Sequence, residues 1–96
     1  MPLTTHKKVT AGAVASNITW TGSRVRSAII RQKSTNKCHI SVTGTAVNNG
    51  VGCITLEGTV DKSIPIEFGS PNQTVSIIRD VSASGDATLE VWEYEP

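Results

Sequence analysis

Apolar and polar residues alternate with a period of two along much of this chain, the repeat of a strand that buries one face. The cleanest run is residues 38–43, where Cys38, Ile40 and Val42 face one way and His39, Ser41 and Thr43 the other. Over residues 24–32, Val25, Ser27 and Ile29 alternate with Arg26, Ala28 and Ile30, and the adjacent Ile29 and Ile30 mark a buried middle. Between the two runs lie Lys33, Ser34, Thr35, Asn36 and Lys37, a polar turn. Strand, short turn and strand predict a β-hairpin.

Further strands are predicted over residues 14–21, 53–57, 63–68, 75–81 and 87–94, separated by turn signals such as Asn48-Asn49-Gly50 and Gly69-Ser70-Pro71-Asn72. Val14, Ser16, Ile18 and Trp20 share one face of the first. Ile64, Ile66 and Phe68 turn inward in the third, and Pro65, which has no N–H to donate, places that run at a sheet edge or bulge. Ala87, Leu89 and Val91 face the core in the last. Residues 3–10 read as an extended arm or a first edge strand. Composition agrees: 31 residues are Val, Ile or Thr and three are Leu, and β-branched side chains suit a pleated, half-buried surface. The expected fold is all-β, a single antiparallel β-sandwich, jelly-roll-like or Ig-like, of about seven to eight short strands. Residues 1–12 form an N-terminal arm or edge strand and residues 13–96 the sandwich domain.

Ninety-six residues make one domain. A domain of this size buries only about 60–70% of its unfolded surface, so a subunit interface would add needed apolar burial. The formal net charge of +1 leaves no electrostatic footprint for a nucleic acid, and none is expected as a partner. His6, Lys7 and Lys8 form one basic cluster and Arg24, Arg26 and Arg31 another, while Glu90, Glu93 and Glu95 make the end of the sequence acidic. No run reaches the roughly 18–20 apolar residues of a membrane span. Without an apolar stretch after Lys7 and Lys8, synthesis in a cytoplasm is expected. Cys38 and Cys53 fall on different predicted strands; in a reducing compartment they read as buried free thiols, and a disulfide stays open if the two strands are neighbours.

Chemistry-bearing constellations are sparse. Metal binding would draw on His6, Cys38, His39 and Cys53, yet Cys38 and His39 are neighbours that point to opposite faces of a strand, so no metal or other cofactor is expected. His6 and His39 are the only candidate bases for a nucleophile, and no GxSxG run is present. The carboxylates Asp61, Glu67, Asp80 and Asp86 sit on a chain with little room for a cleft, so no enzyme activity is expected. Asn17-Ile18-Thr19 and Asn72-Gln73-Thr74 match the glycosylation sequon, but no secretory signal gives them a context. Trp20, Trp92 and Tyr94 could form a platform for sugar rings, the basis of an alternative reading as a carbohydrate- or receptor-binding module. If Leu89 and Val91 point to the core, Trp92 and Tyr94 point outward, and large aromatics on an outer face suit an interface. The candidate interface residues are Leu3, His6, Lys7, Val9, Arg24, Arg26, Trp92 and Tyr94.

One order of strands and turns supplies a resemblance. Ser27-Ala28-Ile29-Ile30-Arg31-Gln32 is followed by a polar turn and Cys38-His39-Ile40-Ser41-Val42-Thr43-Gly44. Then come Gly52-Cys53-Ile54-Thr55-Leu56-Glu57-Gly58, Ser63-Ile64-Pro65-Ile66-Glu67-Phe68 and a closing Gly85-Asp86-Ala87-Thr88-Leu89-Glu90-Val91-Trp92-Glu93. Over residues 25–94 this resembles the small β-sandwich cement or decoration proteins of tailed-bacteriophage heads. Residues 58–62 depart from that pattern, being longer than its usual Pro-Gly turn. The resemblance implies a non-enzymatic virion structural protein that binds the outer capsid surface and stabilises the head. Its implied partners are the major capsid protein and further copies of itself as a homodimer or homotrimer.

Overall fold

A strand whose inner residues are Ala, Ile, Leu and Val can bury them only against a second layer, and here that layer is another sheet. The computed structural model describes residues 3–95, with side chains from residue 6 onward. Eight strands form: β1 (Leu3–Ala11), β2 (Ser16–Asn17), β3 (Ser27–Gln32), β4 (Cys38–Ser41), β5 (Ile54–Leu56), β6 (Ser63–Glu67), β7 (Ser76–Arg79) and β8 (Ala87–Tyr94). They make two four-stranded antiparallel sheets. The first, sheet A, has the order β1-β8-β3-β6, and the second, sheet B, the order β2-β7-β4-β5.

The chain changes sheet at every connection except that from β4 to β5. β1 with β8, β2 with β7, β3 with β6 and β4 with β5 are successive rungs of one long hairpin folded over on itself. Pairing of β8 with β3 and of β7 with β4 then closes each sheet. This is the jelly-roll arrangement rather than the Ig-like one.

The inner faces meet through Ile30, Leu89 and Val91 of sheet A and Ile40, Leu56 and Ile77 of sheet B, each at most 1% exposed. Burying each such side chain contributes about 1.5–3 kcal/mol. β8 alternates strictly, with Ala87, Leu89, Val91 and Glu93 buried and their neighbours half-exposed, as its period-two pattern predicts.

Two expectations are corrected. β3 and β4 do not form a hairpin: they lie in different sheets. The end of β3 stays tied to sheet A, where Gln32 N donates to Lys62 O at 2.7 Å and Lys33 N to Thr88 O at 2.9 Å. The buried Gln32 side chain then organises the turn. Its Nε2 donates to Asn36 O and Glu57 O, and its Oε1 accepts from Ser34 N and Ser34 Oγ. The turn is a crossover long enough to bridge sheets that stack about 10 Å apart. The predicted strand over residues 14–21 shrinks to Ser16–Asn17. Beyond it, Thr21 and Gly22 give their N–H groups to the Glu93 carboxylate instead of to a neighbouring strand.

The outer faces of the sheets differ. Residues 42–53 fold back over sheet B: Ala46 N donates to Ser76 Oγ and Asn48 O accepts from Val81 N. His39 and Ile78, which point away from the core, are thereby buried. Among the described residues no comparable loop crosses the centre of sheet A, whose outer side chains are half-buried or exposed apart from Ser27.

A candidate assembly surface on sheet A

Which backbone groups lie free at the sheet edges follows from the ladder. Antiparallel pairs alternate between hydrogen-bonded and non-bonded positions. The bond from Lys33 N to Thr88 O turns the backbone groups of Thr88, Glu90, Trp92 and Tyr94 toward β3. Those of Ala87, Leu89, Val91 and Glu93 therefore serve β1, through Ala11, Val9, Lys7 and Thr5. His6, Lys8 and Thr10 are left with N–H and C=O groups directed away from the sheet. At the opposite edge, the bonds from Phe68 N to Arg26 O and from Gln32 N to Lys62 O fix the bonded register of β3 and β6. That register turns the Pro65 nitrogen outward. Pro65 thus removes the central donor from the free edge of β6, a device that blocks strand addition. β1 has no such block among residues 6–10.

The outer face carries an apolar row across all four strands. His6 pairs with Trp92, Trp92 with Ile29 and Ile29 with Pro65. The imidazole of His6 stacks on the Trp92 indole with centroids 4.6 Å apart and planes 12° from parallel. Arg31, on the other flanking strand, places its guanidinium carbon 5.0 Å from the indole centroid. Glu90 lies 2.9 Å from His6 Nε2 and 3.8 Å from Lys33 Nζ. Arg31 makes no ion pair among the described residues, and its Nε is buried without a hydrogen-bond partner. Glu67, exposed on β6 at the other side of the row, also makes no ion pair among the described residues.

The predicted interface residues divide. His6, Trp92 and Tyr94 do face outward on sheet A. Lys7 and Val9 do not: alternation along β1 turns them inward, where Val9 packs on the core and Lys7 Nζ lies 2.8 Å from Glu93 Oε2. Arg24 is exposed and Arg26 half-buried in the segment before β3, tied by their backbone N–H groups to Glu95 Oε2 and Tyr94 O. The side chain of Leu3 lies outside the described residues. The sugar platform does not assemble, because Trp20 packs on Phe68 at 5.0 Å and donates Nε1–H to Gln73 O, away from Trp92. Sequence reasoning set Pro65 opposite the inward Ile64, Ile66 and Phe68 but missed Ile29 as a member of the outer row and Arg31 beside it. Counting outward in steps of two from Trp92 and across the sheet would have found them only with the strand order known.

Two polar clusters sit elsewhere. His39 Nε2 lies 2.6 Å from Asp80 Oδ1 and His39 Nδ1 lies 3.0 Å from Thr55 Oγ1. Asp80 also accepts from Ser82 N and Ser82 Oγ, and these bonds with that of His39 hold its carboxyl far below the usual range. The Thr, His and Asp order resembles a relay, but Gly50 lies against the imidazole, so that a Cβ there would come within 2.7 Å of Cε1. Both ring nitrogens are occupied and Gly50 packs on the ring; the cluster ties β4 to β5 and to the turn after β7, beneath residues 42–53. Glu93 is the clamp of the second cluster. Burial pushes its carboxyl up, and the Lys7 ammonium with the N–H groups of Gly22 and Thr21 outweighs this and holds it below the ordinary value. Cys38 and Cys53 are free, and burial pushes the Cys38 thiol up to about 11. Asn72 Nδ2 is spent on Gly22 O, so this sequon is engaged within the fold.

No protein-family model and no curated protein matches the chain. Among solved structures, it is similar to a chain from the disulfide-linked pili that form Bacillus endospore appendages. The identity is 22%, the match covers 100% of this chain and 93% of that one, and the TM-score is 0.46. A likeness at this level says nothing of function.

Proposed function

We propose that this chain is a non-enzymatic structural protein of a virion, a cement or decoration module that binds the outer surface of a capsid and stabilises the head. The observation that carries the assembly part of this reading is the unequal treatment of the two edges of sheet A. The β6 edge is blunted by Pro65, whereas β1 leaves the backbone groups of His6, Lys8 and Thr10 free. The free edge over residues 6–10, beyond the register shift between Leu3 and Thr5 and flanked by basic side chains, suits a strand of a partner that carries acidic residues. The virion setting is supported by the order of strands and turns noted in the sequence.

Lys8→Pro tests the reading. It removes an N–H that points away from the sheet together with the Lys8 ammonium, so Lys8→Ala, which loses the charge alone and should still bind, is the control; the fold already accepts proline in that register at Pro65. Co-sedimentation with capsids of the virus that encodes the chain should be lost in Lys8→Pro while the far-UV circular dichroism stays unchanged. Binding that is absent in the wild-type protein, or undiminished in a folded Lys8→Pro variant, would refute the edge as the capsid contact. Glycan-array binding lost with Trp92→Ala would instead favour the carbohydrate-binding alternative.

A further inference from the structure

Among the described residues the outer face of sheet A carries three charges without an ion pair: Lys8 on the edge strand β1, and Arg31 and Glu67, one on each side of the apolar row. Arg31 lies one row to one side of Ile29, and Glu67 one row to the other side, on neighbouring strands. Consider a twofold axis in the plane of contact along the row of His6, Trp92, Ile29 and Pro65. It lays two such faces together, each strand over its own copy and reversed in direction. The two rows flanking the axis then exchange places, so Arg31 of one copy lies next to Glu67 of the other, and the pairing occurs twice. We infer that this face is the contact of an isologous homodimer, in which Trp92, Ile29 and Pro65 pack across the axis and Arg31 pairs with Glu67 of the second copy.

Three observations support a second copy rather than another occupant. Arg31 and Glu67 are complementary in charge across the axis, as a twofold interface requires, and Lys8 stays at the rim on β1. The Arg31 guanidinium, held 5.0 Å from the Trp92 ring centroid with no carboxylate in ion-pair reach among the described residues, gains one from Glu67 of the second copy. The size is also sufficient. Four strands about 4.8 Å apart and about seven residues at 3.4 Å each cover on the order of 500 Å² in projection. With side-chain relief this approaches the low end of specific interfaces, about 600 Å² per partner. Aligned sheet packings keep mean strand directions within about 30° of each other, a range that includes the antiparallel alignment generated by the axis. The inference goes beyond the capsid reading and is independent of it, since the dimer forms in solution with no capsid present.

Light scattering after size exclusion should give a dimer at micromolar concentration. Glu67→Arg, at an exposed position, should weaken the dimer at least tenfold in dissociation constant. Arg31→Glu should do the same, and the double exchange Arg31→Glu with Glu67→Arg should restore it. Because Arg31→Glu also sets a carboxylate beside Glu90, a second measurement avoids that variant. Ile29→Cys in a Cys53→Ser background should cross-link to a dimer with a short bis-maleimide, because Ile29 lies on the axis opposite itself. A monomeric or trimeric wild-type protein would overturn the inference. So would a dimer unaffected by Glu67→Arg, or an Ile29→Cys variant that fails to cross-link.

Discussion

Replacing Glu93 by Gln changes one atom of a carboxylate that is 0% exposed yet bonded to three donors. Its oxygens accept from Thr21 N and Gly22 N at 3.0 Å and from Lys7 Nζ at 2.8 Å. In Glu93→Gln one acceptor becomes an amide N–H₂ facing donors, and the ammonium loses its counter-charge. Removing one member of a buried pair costs about 3–5 kcal/mol. Lys7 retains 24% side-chain exposure and can recover some hydration, so the lower limit, about 3 kcal/mol, is the better expectation. At roughly 4–8 °C per kcal/mol for a domain of this size, the Tm should fall by about 12–24 °C. Urea denaturation at pH 7 would measure the difference directly. The pH dependence supplies an independent sign. The folded-state carboxyl lies below its ordinary value of 4.5, so the ionised form favours folding. That contribution is present above the ordinary value and is lost as pH falls through the depressed one. The gap between wild type and Glu93→Gln should therefore narrow in acid. A variant within 0.5 kcal/mol of wild type at pH 7, or a gap that widens below pH 4, would refute this account of the clamp.

Gly50→Ala should destabilise more than an ordinary surface substitution, because φ is +80° and the new Cβ would press on His39; chemical denaturation should show a loss of at least about 1–3 kcal/mol. His39→Phe should loosen residues 42–53, seen as faster amide exchange at Ala46, Gly50 and Cys53, whose N–H groups are bonded in that loop. A thiol reagent at pH 8 should label Cys53 and spare Cys38 in the folded protein, since the buried thiol stays protonated; equal labelling would contradict its placement.

The sandwich was legible because period-two alternation is a local property: Ala87, Leu89 and Val91 announce the buried side of β8 whatever lies next to it. The partner of a strand is not local. The run Lys33 to Lys37 has the polarity of a hairpin turn, and only the buried amide of Gln32, bridging Asn36 and Glu57, makes it a crossover. The same limit applies to the site. Trp92 and Tyr94 could be assigned to the outer face by counting along one strand. The row from His6 to Pro65 exists only through the register of three strand pairs, and Arg31 gains its meaning from Trp92 two strand positions away in space and 61 residues on in sequence. Lys7 misled because a lysine is ordinarily solvated, whereas its alternation already placed it inward with Val9.

β8 is the last strand in sequence but lies in the interior of sheet A, between β1 and β3. During synthesis, β1 therefore waits for almost the entire chain before its only neighbour in the sheet exists. Sheet A cannot close strand by strand as the chain emerges. Folding rates fall as contacts join more distant parts of a chain, and all-β domains of this kind fold over milliseconds to seconds. Until residues 87–94 pair with both, the edges of β1 and β3 that face each other in sheet A stay uncovered.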